Sequence, residues 1–141
     1  MRRGNPRVKS IVGKERYLMY KYFKVSEFDS PDEAGSGEMM EPAVIEALDV
    51  ARDLCGFPLI ITSGFRTIKH HEWLTKQGYP TSKNSSHLLG WAADIACSNS
   101  ARRYLLIEAL LDAGFTRIGI GKTYLHVDLD TEKPSNRIWV Y

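Results

Sequence analysis

The chain has 141 residues, 43% of them hydrophobic and 26% charged, and a formal net charge of +2. That length supports one domain with its own core, and the composition is ordinary for a globular protein. The net charge is too small to imply nucleic acid by itself, and no apolar run approaches the roughly 20 residues of a membrane span.

Residues 1–20 are basic, with Arg2, Arg3, Arg7, Lys9, Lys14 and Arg16 against Glu15. They read as a solvated arm packed loosely on the domain, with attraction to an anionic polymer as the alternative. Lys14, Glu15 and Arg16 interrupt any apolar stretch, so the start does not read as a secretory signal, and synthesis in the cytoplasm is expected. Residues 29–41, DSPDEAGSGEMME, are polar and loop-like. Glu41-Pro42 then opens a helix whose apolar stripe is Val44 or Ile45, Leu48, Ala51 and Cys55, ended by Gly56. FPLIITS, 57–63, is a short apolar strand, GFRT a turn, and IKHHEWLTKQG, 68–78, a short helix.

A polar loop, YPTSKNSS, leads to His87, and WAADIA, 91–96, reads as a buried strand. Ser98 or Ser100 caps a further helix with the apolar set Tyr104, Leu105, Ile107, Leu110 and Leu111. TRIGIG, 116–121, YLHVDLD, 124–130, and RIWVY, 137–141, are strands. The middle one alternates, with Leu125, Val127 and Leu129 on one face and His126, Asp128 and Asp130 on the other. The expected fold is α+β: a basic arm over 1–20, then a single domain over 21–141 with a central antiparallel sheet and flanking helices. Cys55 and Cys97 read as buried free thiols, with one disulfide as the alternative. Trp73, Trp91 and Trp139 read as core.

Asp94 is the anomaly, a carboxylate inside an apolar strand. A buried charge is costly unless it is paired or coordinates a metal. His87 lies just upstream, and His126 sits on a separate strand. If those strands are neighbours, two imidazoles and a carboxylate converge. Three such ligands suit zinc and leave a fourth tetrahedral position for water. From spacing alone a hydrogen-bonded histidine, or an Asp94 that caps a turn or pairs with an arginine, remains open.

The pattern S-x-H-x-x-G-x-A-x-D is met by Ser85, His87, Gly90, Ala92 and Asp94, and H-x-D by His126 and Asp128. With SGFRT upstream, which holds Arg66, and the stretch KYFKVSEFDSPD at 21–32, the chain resembles the zinc D-alanyl-D-alanine carboxypeptidases and L,D-endopeptidases, whose fold is shared with the Hedgehog signalling domain. The stretch at 21–32 also looks like the start of that family's short branch, the small catalytic domains found in bacteriophages and bacteria, and the resemblance runs from about Tyr22 to Tyr141.

The resemblance implies one zinc ion held by His87, Asp94 and His126. It implies an Arg66 that holds substrate or steadies a developing oxyanion, and a Ser85 that supports the His87 loop. It further implies a hydrolase of peptidoglycan peptides, expected to be monomeric and without a nucleic-acid partner; the lack of a readable export signal, the small size and the basic arm suggest a phage-type or prophage-type lytic enzyme acting at the bacterial wall. Many relatives carry an acid three residues before the last zinc histidine, where this chain has Thr123, so Asp128 is the expected catalytic base or water-orienting group. A partner of His126 is the alternative reading of Asp128. His70 is the expected histidine near the cleft, against a surface role. The runner-up function is a zinc-containing binding module of the same fold.

Overall fold

The computed structural model describes residues 20–141 and the backbone of residues 8–12 and 15–18. Within the basic stretch, β1 (Val8–Val12) and β2 (Glu15–Leu18) pair antiparallel as a separate two-stranded hairpin. What the sequence suggests for the rest of that arm, including its attraction to an anionic polymer, lies outside the described residues.

Three helices follow: α1 (Pro42–Cys55), α2 (Ile68–Lys76) and α3 (Ser100–Asp112). They flank a five-stranded sheet of β3 (Ile61–Ser63), β4 (Ala92–Ala96), β5 (Arg117–Ile120), β6 (Tyr124–Asp128) and β7 (Arg137–Val140), in the order β3-β4-β6-β5-β7. The architecture is α+β, as the mixture of patterns predicts. The pairings β3-β4, β4-β6 and β6-β5 are antiparallel, whereas the edge strand β7 runs parallel to β5. The reason is topological. Both sides of β6 are occupied by β4 and β5, and the chain that returns after β6 runs opposite to it, so on the outer side of β5 it lies parallel to β5.

Side chains alternate across a strand, and the two faces of this sheet differ in character. Ala93 and Ile95 of β4, Leu125 and Val127 of β6 and Ile118 of β5 join Val44, Ile45, Leu48 and Ala51 of α1 in one fully buried core. Asp94, His126 and Arg117 lie on the opposite face.

Several local expectations are corrected. The strand begins at Ile61 rather than Phe57, because Pro58 has no N–H to give to a ladder. Asn99, not a serine, caps α3, its side chain accepting from the Arg102 amide at 2.9 Å. The buried stripe of α3 is Leu106, Ala109, Leu110 and Ala113, while Tyr104, Leu105 and Leu111 are exposed. LLIEALL offers two overlapping apolar stripes, and the helix packs on the one whose alanines permit close approach to its neighbour. Trp73 is half exposed and Trp139 only partly buried, so neither is a core residue. The 29–41 loop is ordered by Asp29, which accepts from the Gly35 and Gly37 amides at 3.0 and 2.7 Å. Cys55 and Cys97 are free thiols.

Gly90 joins the His87 turn to the rest of the domain. It is left-handed at φ 77°, its carbonyl accepts from the Glu41 amide at 2.9 Å, and an added Cβ would collide with the Met39 carbonyl oxygen. Gly90→Ala therefore combines a left-handed penalty with overpacking, together roughly 2–4 kcal/mol. Urea unfolding is expected to show that loss.

Candidate metal centre

The site forms where the polar face of the sheet meets one short turn. Ser85 caps a 3-10 turn over Ser86–Leu89, its hydroxyl accepting from the His87 amide at 3.3 Å. The Arg66 amide donates to the His87 carbonyl at 3.1 Å, so the turn is clamped to the SGFRT segment. His87 donates from Nδ1 to the Gly64 carbonyl at 2.8 Å, which leaves Nε2 as its inward lone pair. On the sheet, β4-β6 register places Asp94 directly opposite His126.

These three residues converge. Asp94 Oδ1 lies 3.2 Å from His87 Nε2 and 3.0 Å from His126 Nδ1. One ligand atom from each residue lies within 4.8 Å of the other two. The donor set, two imidazole nitrogens and one carboxylate oxygen, suits zinc. The tautomers suit it too, because each ring's other nitrogen is held by an oxygen acceptor: Gly64 for His87, and Asp128 Oδ2 at 2.7 Å for His126.

The charges are strongly coupled. Burial alone would raise the pKa of Asp94, but the two imidazoles outweigh it and hold the carboxyl far below its usual range. Burial pushes His87 down, toward the neutral form that ligation requires. His126 moves the other way: burial opposes its charge, yet Asp128 and Asp94 prevail and raise it above 6.5.

Asp128 is only 1% exposed, and both its oxygens are engaged. Oδ2 takes the His126 ring, while Oδ1 pairs with Arg117 Nε at 2.8 Å and accepts the Asp130 amide at 3.1 Å. Despite burial, the His126 ring beside it holds the Asp128 carboxyl below its usual pKa. Engaged on both oxygens and on the far side of His126 from the shared Asp94 oxygen, Asp128 stands where the alternative reading, a partner of His126, puts it.

The three candidate ligands and Asp128 line one open cleft of about 460 Å³. Arg66 enters it from the turn after β3, its NH2 nitrogen donating to Ser63 Oγ at 3.2 Å, and Nε is buried without a hydrogen-bond partner. Ser85 lines the same cleft. His70 does not. Its ring stacks on the exposed Trp73 with centroids 5.6 Å apart. The neighbouring His71 is the one that turns inward, with Nδ1 3.5 Å from Arg66 NH1. Successive helical residues differ by about 100°, so only one of the pair can face Arg66.

Sequence reasoning passed over Arg117, Lys133, Tyr124, Trp139 and Tyr141, all of which line the cleft. Alternation was the available signal. Tyr124 shares a parity with His126, and register aligns Gly119 of β5 with both His126 and Trp139. Asp130 is buried and accepts from the Ser86 hydroxyl at 2.6 Å. No helix among the described residues is long and apolar enough to cross a membrane.

The sequence matches the family model described as Peptidase M15 over residues 21–130. No curated protein matches the chain.

Two measurements check the roles of Asp128 and His126. Asp128→Asn is expected to stay folded and lose about 10–100-fold in zinc affinity, as removal of a ligand-orienting carboxylate does; a base outside the ligand sphere would leave affinity unchanged. Because the His126 pKa lies above 6.5, more than half of that ring is protonated at pH 6.5 in the metal-free protein. Zinc uptake must displace that proton. Calorimetry in buffers of different ionisation enthalpy is expected to show proton release that grows as pH falls from about 8 to 6.5.

Proposed function

The chain belongs to the peptidase M15 family, a family of zinc peptidases, and from that premise we propose that it hydrolyses peptide bonds in the stem peptides of peptidoglycan, as a carboxypeptidase or an endopeptidase. The observation that carries this reading is the convergence of His87, Asp94 and His126 at the floor of a cleft whose other charges are mostly cationic. Arg66, Arg117 and Lys133 face it, against only Asp94 and Asp128 among the acids. A divalent ion adds to that surplus. Such a cleft favours an anionic substrate, and stem peptides carry several carboxylates.

Zinc held there supplies Lewis acidity: it lowers the pKa of a water from about 15.7 to about 7 and polarises a carbonyl. The chain's own residues do the rest. Gly64 and Asp128 fix the two imidazoles so that their lone pairs point to one place. Arg66 presents a buried guanidinium with an uncommitted Nε beside that place. Burial makes its charge less favourable and Asp94 offsets part of that cost; an arginine stays protonated nonetheless, so a cation waits where negative charge develops on the scissile carbonyl. Ser85 holds the turn that carries His87.

A zinc-containing binding module is the second reading, favoured by Thr123 at the place where relatives carry an acid and by the commitment of Asp128 to His126. The two readings separate in one experiment. Purified peptidoglycan is incubated with the protein as prepared, after chelation and after zinc restoration, and the fragments are weighed by mass spectrometry. Zinc-dependent fragments support the peptidase and name the bond, whereas a zinc-loaded protein that cuts no wall chemotype supports the binding module. In the active protein, Arg66→Ala is expected to lower kcat/KM by about 10²–10³ while leaving zinc affinity intact.

A further inference from the structure

Beside the candidate ligands stands an aromatic wall that neither the zinc set nor Arg66 accounts for. It consists of Tyr124, Trp139 and Tyr141. The Tyr124 and Tyr141 ring centroids are 5.6 Å apart, those of Trp139 and Tyr141 6.2 Å, and those of Trp139 and His126 5.7 Å. The rings reach that position because β5 carries glycines beneath them. A Cβ on Gly119 would lie 2.7 Å from Trp139 Nε1 and 2.8 Å from Tyr141 Cε2, and one on Gly121 would meet the Tyr124 ring. Any side chain at these positions would push the wall away from His126. Backbone hydrogen bonding holds its end in register: the Tyr141 amide donates to the Ile120 carbonyl at 3.1 Å.

The hydroxyl of Tyr141 has a defined setting. The Trp139 indole meets the Tyr141 ring edge-on with centroids 6.2 Å apart, and its only polar hydrogen is the N–H, so toward the phenol oxygen it can act only as a donor. That arrangement leaves the phenol's own proton for the cleft that both rings line. Burial, with Asp94 adding to it, pushes the Tyr141 pKa up to about 12, so the proton is present throughout the neutral range. The cleft also has a position to fill. Of its two carboxylates, Asp94 belongs to the ligand set and Asp128 to His126 and Arg117, and Thr123 is no acid. Donors within the cleft are therefore more available than bases.

We propose that Tyr141 is a catalytic residue whose phenolic O–H, oriented by Trp139, donates a hydrogen bond to the oxygen of the scissile carbonyl as that oxygen gains charge, alongside Arg66. No proton is transferred in this role; the hydrogen bond strengthens as the carbonyl becomes tetrahedral and relaxes when the amine leaves. Trp139 is a positioning residue. The proposal rests on the peptidase reading above.

The test uses the zinc-loaded protein, a stem-peptide substrate that it cleaves, and a phosphinate analogue of the same peptide, whose tetrahedral oxygens mimic the charged intermediate. Tyr141→Phe removes one oxygen and keeps the ring on its glycine seat. It is expected to lower kcat about a hundredfold with KM little changed, and to weaken phosphinate binding by a similar factor in calorimetry, with zinc affinity unaltered. Trp139→Phe is expected to lower kcat in the parent protein and to add little in the Tyr141→Phe background, because the two act as one unit. A Tyr141→Phe protein with parental kcat and parental phosphinate affinity overturns the proposal and leaves the peptidase reading standing. A zinc-loaded parent protein that cleaves no wall peptide overturns the peptidase reading itself, and this proposal with it.

Discussion

Asp94 is a mostly buried carboxylate bracketed by two imidazoles, and much of the architecture exists to make that tolerable. Taking a charge out of water is expensive, and the protein offsets the cost by bringing opposite or neutralisable partners within about 3 Å. His126 arrives through the β4-β6 ladder, whose register sets it directly opposite. His87 arrives on a turn clamped by Gly64, Arg66 and Glu41 through backbone bonds. In the metal-free state a proton on His126 supplies the compensating charge, and a divalent ion can replace it. The pocket is thus arranged for a cation whichever cation is present.

The second ring of contacts follows from the first. His126 must present Nδ1 to Asp94, so Nε2 needs an acceptor, and Asp128 supplies it two residues along the same face. Asp128 in turn needs a counter-charge in a dry place, and Arg117 lies opposite it on β5. The partners run outward from β4 through β6 to β5, and Trp139 of β7 lies beyond them. A chain of satisfied partners across four strands leaves few side chains free to move protons. The chemistry open to the cleft is accordingly that of fixed donors and cations, among them the buried Arg66 Nε, which has no hydrogen-bond partner.

The same sheet separates stability from chemistry by parity. One face is alanine, isoleucine, leucine and valine packed against α1 and α3, and the other is the site. Small residues on the site face, Ala92, Ala96 and Gly119, give the polar side chains room. A one-residue slip of β4 against β6 would exchange core and ligands, so hydrophobic burial on one face enforces ligand register on the other.

The sequence by itself determined what local chemistry can report. Helices with marked ends, strands with clean alternation and the ordered set His87, Asp94, His126 and Arg66 were all legible, because periodicity and motif spacing are one-dimensional properties. So was the anomaly of Asp94, since an acid in an apolar strand calls for a partner. Only the tertiary structure decided who that partner was and who was already taken. Asp128 shares a strand face with His126 in either role, and it is the ion pair to Arg117 from another strand that commits it. His70 and His71 are equivalent as letters, and the docking of α2 turns His71 toward Arg66. The α3 stripe was ambiguous for a related reason, because two apolar faces overlap and the neighbouring helix chooses between them. Tyr141 and Trp139 reach the cleft through a parallel edge pairing that no local pattern announces, since pairing between distant strands depends on which sheet edge is still open when the chain returns.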